Sequence, residues 1–169
     1  MKLNAGRNDL YPTTLRLDKI DIKQEYIDSA ATLEVHPELY AEVVKYFDAY
    51  INTVLPDQRL DSWSYKIDGW INQYQQNEME YHTHSGAAVS TVVYLMNDAE
   101  GGEITFYDPR HFAARGYDMK WRPLFDSTTY KPRTGEVLTF PSYLYHAVKP
   151  TKGFRISAAF DLYLYDKKD

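Results

Sequence analysis

Five residues between positions 82 and 157 have types and spacing suited to chemistry: His82 and His84 in His82-Thr83-His84, His146, and the pair Arg155 and Ser157 in Arg155-Ile156-Ser157. On a strand, side chains two apart share a face. His82 and His84 can therefore address one point, and Arg155 and Ser157 another. Neutral imidazole is a ligand for iron, copper, nickel and zinc. A third histidine from a distant strand would complete one face of a coordination sphere and leave the opposite positions open. A guanidinium and a hydroxyl beside it would hold a carboxylate through charge-assisted hydrogen bonds. The pattern predicts a metal site with an anion anchor next to it. Each piece has a plainer reading when taken singly, since a histidine pair on a strand is often a surface pair and a lone histidine is more often structural than ligating.

The elements that must position these residues are visible in the hydrophobic pattern. Leu39, Val43, Val44, Phe47, Tyr50, Ile51 and Leu55 fall near a 3.6-residue period, with Pro37 early and Pro56 after the end, which predicts a helix over 37–55 packed on the outside of a sheet. A strand is expected near Thr14–Ile20, in an otherwise mixed stretch over 1–35. From Trp63 onward the signals are for strands: 63–67, 70–74, 89–96, 103–107, 137–140 and a long final one over 154–165. Residues 75–79 read as a turn, and Gly101-Gly102 as another. His82 and His84 are expected to open a strand after the first of these turns. Short strands separated by turns predict an all-β sandwich or barrel.

Composition narrows the class. The chain has 169 residues, enough for one domain with a sizeable core, and the expectation is a single domain over 1–169. Its 16 Tyr, 7 Phe and 3 Trp suit pleated surfaces with a partly wet interior. A formal net charge of −5 gives no global case for a nucleic-acid or membrane partner. There is no cysteine, so disulfides, thiolate catalysis and cysteine-based zinc sites are excluded, and a cytoplasmic location is expected. No run reaches membrane-spanning length, and the first residues lack an apolar signal region. One segment, 109–133, has three prolines and no periodicity. Its Arg110, Arg115, Lys120, Arg122, Lys131 and Arg133 face only Asp118 and Asp126, a local net charge of +4. It reads either as a solvated loop or as a lid that favours acidic substrates.

Taken together, these landmarks resemble the Fe(II)/2-oxoglutarate-dependent oxygenases, within them the prolyl-4-hydroxylase-like group. The matching features are Trp70-x-Asn72, His82-x-His84, Tyr94-Leu95, Gly101-Gly102 with Phe106, Gly135 through Phe140-Pro141-Ser142, His146 and Arg155-Ile156-Ser157, in family order over about 63–165. They look most like small oxygenases of bacteria and their phages, acting in the cytoplasm of the bacterium or infected host. The resemblance implies a mainly β fold, a double-stranded β-helix or jelly roll with supporting N-terminal helices. It implies Fe(II) and 2-oxoglutarate as cofactors, with ascorbate as reductant. It makes His82 and His146 iron ligands and pairs Arg155 with the distal carboxylate of 2-oxoglutarate, with Ser157 or Tyr94 donating to the same group. Asn72 or Tyr74 would add a further cosubstrate contact. The implied reaction hydroxylates a protein, peptide or amino-acid substrate, with proline the leading target, and releases succinate and CO2.

One position departs from that pattern. The family places Asp or Glu two residues after its first histidine, and this chain has His84. Three readings stay open: a three-histidine face, a water ligand with His84 behind it, or a remote acid such as Asp108 or Glu80 as the third donor. A cupin metalloenzyme is the alternative jelly roll with His-x-His. It expects an acid four to six residues after the pair, yet Ser85–Thr91 contains none, and it gives no reason for Arg155 and Ser157. A non-catalytic jelly-roll module is the third reading, and it predicts no tight metal.

Overall fold

The computed structural model describes residues 13–75, 78–98, 100–109 and 127–167. Two helices precede the strands: α1 (Gln24–Ala31) and α2 (Pro37–Val54). The α2 boundary is set locally. His36 caps the helix by accepting the Glu38 N–H on Nδ1 at 3.3 Å, and Pro37 occupies the first turn, where its missing N–H costs nothing. Glu38 puts negative charge at the same end, where the helix dipole favours it. The apolar stripe Leu39, Val43, Phe47, Tyr50 and Ile51 is buried, as its period requires. Helix α1 lies in the stretch that the sequence left without a strong signal: eight residues with two buried positions, Tyr26 and Ala30, are too few for periodicity to stand out.

Eleven strands follow from the sequence order of the described residues. They are β1 (Arg16–Lys19), β2 (Ser64–Gln75), β3 (Met79–His82), β4 (Val89–Asn97), β5 (Glu100–Gly101), β6 (Ile104–Tyr107), β7 (Ser127–Tyr130), β8 (Glu136–Pro141), β9 (His146–Val148), β10 (Thr151–Lys152) and β11 (Phe154–Tyr165). A major sheet runs β1-β8-β4-β11-β2 and a minor sheet β3-β9-β6-β7, with all pairings antiparallel. A two-stranded β5-β10 ribbon completes the set. Two facing antiparallel sheets with helices on the outer face of the larger one make the expected jelly roll.

Two expectations need correction, and a third falls outside the described residues. The stretches 63–67 and 70–74 are one 12-residue strand, β2, because Gly69 continues the ladder opposite Phe160 instead of breaking it. A Cβ there would meet the Phe160 ring at 2.7 Å, so this glycine marks close packing and not a turn. Residues 127–130, placed in an aperiodic segment, form β7 paired to β6. Its short, mostly exposed run STTY carries no alternation to read. The basic residues from Arg110 to Arg122, and with them the expected lid, lie outside the described residues.

Alternation divides the major sheet into two faces. One face, with Val93, Leu95, Val137, Ala158, Phe160 and Leu162, is sealed by the helices into the larger core. The other looks toward the minor sheet across a second cluster of Tyr94, Ile104, Phe106, Leu138, Phe140, Leu144 and Val148. Tyrosine fills the junctions as expected: Tyr46 and Tyr50 are buried in the helical layer, while their hydroxyls donate to the carbonyls of Lys19 and Thr14, each at 2.9 Å.

Phe160 joins the two layers. It is fully buried and meets the Tyr40 ring edge-on at 5.4 Å. Replacing Phe160 by Ala is expected to cost about 3–5 kcal/mol of stability, as for other buried aromatics. Replacement by Leu should cost clearly less. Urea unfolding of the two variants checks this; equal losses would mean that the cavity is not the cause.

Candidate metal centre

Strand register builds the site. β11 lies between β2 and β4, and its pairing sets Ser157 opposite Asn72 on one side and Tyr94 on the other. Arg155 stands opposite Tyr74, two residues along and on the same face. Trp70, Asn72 and Tyr74 from β2, Val92 and Tyr94 from β4, and Arg155, Ser157 and Ala159 from β11 thus line one wall of a cavity of about 350 Å³. The opposite wall comes from Met79, His82, Ile104, His146 and Val148 of the minor sheet. Every site residue expected from the sequence faces this cavity. The sequence did not single out Met79, Val92, Ile104, Ala159 or Val148, which read as ordinary strand or turn positions.

The three histidines converge. In the β3–β9 ladder His82 pairs directly with His146, and their ring centroids are 4.3 Å apart. His84 lies beyond the strand end, not on a strand as expected, and its backbone N–H donates to the Ser142 carbonyl at 3.1 Å. That bond turns the chain so that the His84 ring still comes within 5.3 Å of His82 and 5.2 Å of His146, centroid to centroid. The Trp70 ring stacks on His84 at 5.6 Å. One nitrogen from each histidine lies within 4.8 Å of the others. Among the described residues this donor group contains neither Glu80 nor Asp108, and no carboxylate of the kind a cupin requires.

Each ring is oriented from behind through Nδ1. His82 Nδ1 meets the Glu80 carbonyl at 2.7 Å and His146 Nδ1 the Leu144 carbonyl at 2.9 Å. A carbonyl only accepts, so both rings carry the proton on Nδ1 and leave the Nε2 lone pair for the centre. His84 Nδ1 lies 2.8 Å from Oδ1 and 2.9 Å from Oδ2 of Asp161. Asp161 was not expected from the sequence, although a signal existed: it stands four residues after Ser157 on the same strand face. Burial pushes the His146 pKa down from 6.5 to about 4, against a smaller upward pull from its Leu144 hydrogen bond. Phe140 packs edge-on to its ring at 4.9 Å.

The anion anchor is equally defined. Arg155 is only 2% exposed, yet its Nε and Nη1 have no hydrogen-bond partner among the described residues, and the buried Tyr94 hydroxyl also has none. The guanidinium sits between two aromatic faces, 5.2 Å from the ring centres of both Tyr74 and Tyr94. Burial pushes the Tyr94 pKa up to about 12, and that of Tyr74 upward, so both stay neutral. A buried guanidinium with two unsatisfied donor nitrogens is costly and calls for an anion. Gly101 and Gly102, both at positive φ, lie beside it; Gly101 ends β5, so only Gly102 and Glu103 link to β6 where a turn over Gly101-Gly102 was expected. A Cβ on Gly102 would meet Thr151 Cγ2 at 2.8 Å and the Arg155 Cδ at 3.6 Å.

The His146 shift has a measurable consequence in metal-free protein. The unfolded chain takes up this proton near pH 6.5 and the folded chain only near pH 4. Between those values the unfolded state binds more protons, so stability falls as pH is lowered, by up to about 1.4 kcal/mol per unit. A His146→Gln variant should lose that part of the slope between pH 6.5 and 4. Melting temperatures against pH for both proteins check it, and parallel profiles would contradict it.

Comparison with known proteins agrees with this geometry. No curated protein matches the sequence. Among solved structures, a prolyl-4-hydroxylase from Pseudomonas putida has a TM-score of 0.60 at 15% identity, covering 92% of this chain and 89% of its own. HygX from Streptomyces hygroscopicus, solved with nickel and 2-oxoglutarate bound, has a TM-score of 0.55 at 13% identity, covering 89% and 81%. A 2OG-Fe(II) oxygenase-family oxidoreductase from Burkholderia pseudomallei has a TM-score of 0.51 at 16% identity over 70% of this chain, which spans 51% of that protein's length. At such identities the likeness is one of fold. All three are bacterial proteins, which leaves the resemblance to phage oxygenases without support. The family model described as 2OG-Fe(II) oxygenase matches residues 68–161, more than half the sequence and nearly all of the sheet that carries the site. The chain belongs to the 2OG-Fe(II) oxygenases, the enzymes that use Fe(II) and 2-oxoglutarate.

Proposed function

We propose that this chain is a hydroxylase in which His82, His84 and His146 hold Fe(II), and Arg155, with Tyr94 and Ser157, holds the distal carboxylate of 2-oxoglutarate. The observation that carries the reading is the pairing, in one cavity, of three convergent imidazoles with a buried guanidinium whose Nε and Nη1 have no hydrogen-bond partner among the described residues. The donors fit the group: imidazole suits Fe(II), and a planar guanidinium suits a carboxylate. When bound, Fe(II) and 2-oxoglutarate supply O2 activation, with decarboxylation of the oxo acid to succinate and CO2 coupled to hydroxylation of a second substrate.

The chain's own residues supply the positioning. His146, held neutral by burial, offers its lone pair without competition from protons at physiological pH. Arg155, clamped between Tyr74 and Tyr94, cannot swing away from the anchor position, and the Tyr94 hydroxyl is free to donate to the same anion. Asn72, facing Ser157 across the ladder, offers a further polar contact along the cosubstrate's length. Trp70, Met79 and Thr83 line the same cavity and leave an apolar-edged space for the target.

The second substrate is a protein, peptide or amino acid. Proline is the first target to test, prompted by the fold shared with the P. putida enzyme. Succinate release with Fe(II), ascorbate and 2-oxoglutarate across a panel of peptides and amino acids tests the function. Arg155→Ala removes the cation facing a buried carboxylate, a loss of roughly 2–5 kcal/mol. It should weaken 2-oxoglutarate more than tenfold by calorimetry while leaving metal affinity nearly intact. Equal 2-oxoglutarate affinity in wild type and variant would refute the anchor.

A further inference from the structure

The alternation that turns Arg155 and Ser157 into the cavity continues to Asp161. Asp161 pairs with Ser90 of β4 and Asp68 of β2 and is buried. Its carboxylate faces His84 Nδ1 with both oxygens, and Ser90 Oγ donates to its Oδ1 at 2.6 Å. Ser90 Oγ also bonds Ser142 Oγ at 2.8 Å, and the Ser142 carbonyl accepts the His84 backbone N–H. These contacts close a ring: Asp161 to the His84 side chain, His84 backbone to Ser142, Ser142 to Ser90, and Ser90 back to Asp161. His82 and His146 have nothing comparable, since each is backed by a neutral carbonyl two residues earlier in its own chain. The histidine with an anion behind it is thus the one standing where the family pattern places a carboxylate.

We propose that Asp161 is a positioning residue that returns the missing charge to the metal centre through His84. It acts by two routes. Accepting the Nδ1 proton fixes the tautomer with the lone pair on Nε2. Placing a negative charge against the ring makes Nε2 a stronger donor, as outer carboxylates do for metal-bound histidines. The Ser90–Ser142 bridge holds the carboxylate in that pose. The inference rests on the reading of the three histidines as metal ligands.

Co(II) is the probe, because its affinity is measured by calorimetry and its visible bands report ligand field without turnover. Asp161→Asn keeps the size and an oxygen acceptor but removes the charge. It should weaken Co(II) roughly 10–100-fold and shift the visible bands, while the metal-free melting temperature moves little. The sign should differ when His84→Asp is already present. There the carboxylate is itself the ligand, Asp161 faces a like charge, and Asp161→Asn should leave Co(II) affinity unchanged or raise it. Weakening by the same factor in both backgrounds marks a merely structural role and overturns the proposal. Ser90→Ala supplies a second route should the Asn variant not fold: it frees the carboxylate without removing it, and Co(II) affinity should drop several-fold, whereas no change counts against the proposal. If His84→Ala leaves Co(II) binding intact, the three-histidine reading itself fails. If His84→Ala weakens it and Asp161→Asn does not, only the role of Asp161 fails.

Discussion

The alternation of side chains along β11, hydrogen-bonded on both edges to β2 and β4, is the constraint on which the site depends. Ile156, Ala158, Phe160 and Leu162 go into the core under the helices, so Arg155, Ser157, Ala159 and Asp161 must face the other sheet. A slip of one residue would put the guanidinium under α2 and Phe160 into the cavity. Burial of the apolar face therefore fixes the polar face. The register shift between Ile156 and Ser157 in the β4 ladder is tolerated because it leaves both residues on their own faces.

Charge in the cavity is arranged along that one strand. Arg155 stands at one end of the face, walled by two neutral tyrosines, with Nε and Nη1 that find no protein partner among the described residues. Asp161 stands six residues away and is satisfied by Ser90 and His84. The asymmetry matters in a low-dielectric interior, where an unpaired ion is expensive and a paired one is tolerated. An interior that leaves the cation unsatisfied and the anion bound is suited to an incoming carboxylate. The histidines come from the minor sheet and the turn after β3, so the cavity closes only when both sheets pack.

Helix α2 and strand β11 were legible within a residue or two at their ends, because each is long and carries a complete apolar pattern. The eight residues expected at the site, which the structure gathers around one cavity, could be named because the histidines and the arginine are chemically distinctive and the whole set falls in the order of a recognisable family pattern. What escaped was short or set by a distant partner: α1 and β7 have too few buried residues to show a period, and β2 was read as two stretches because the ring packed on Gly69 between them, Phe160, lies 91 positions later. The place of His84 was also misread. The strand ends at His82, and a hydrogen bond from His84 to Ser142 supplies the turn that strand alternation had been expected to provide.

The sequence by itself determined the fold class, the family and the list of groups able to ligate a metal or an anion, because these follow from local periodicity and residue chemistry. Only the tertiary structure decided that the three histidines converge, that Arg155 is buried with its Nε and Nη1 unpartnered among the described residues, and that Asp161 stands behind His84. Those facts depend on strand register and sheet packing between residues as far apart as His84 and Asp161. Such pairings are set by the burial of apolar faces on the far side of the sheet, and no spacing within the sequence records them.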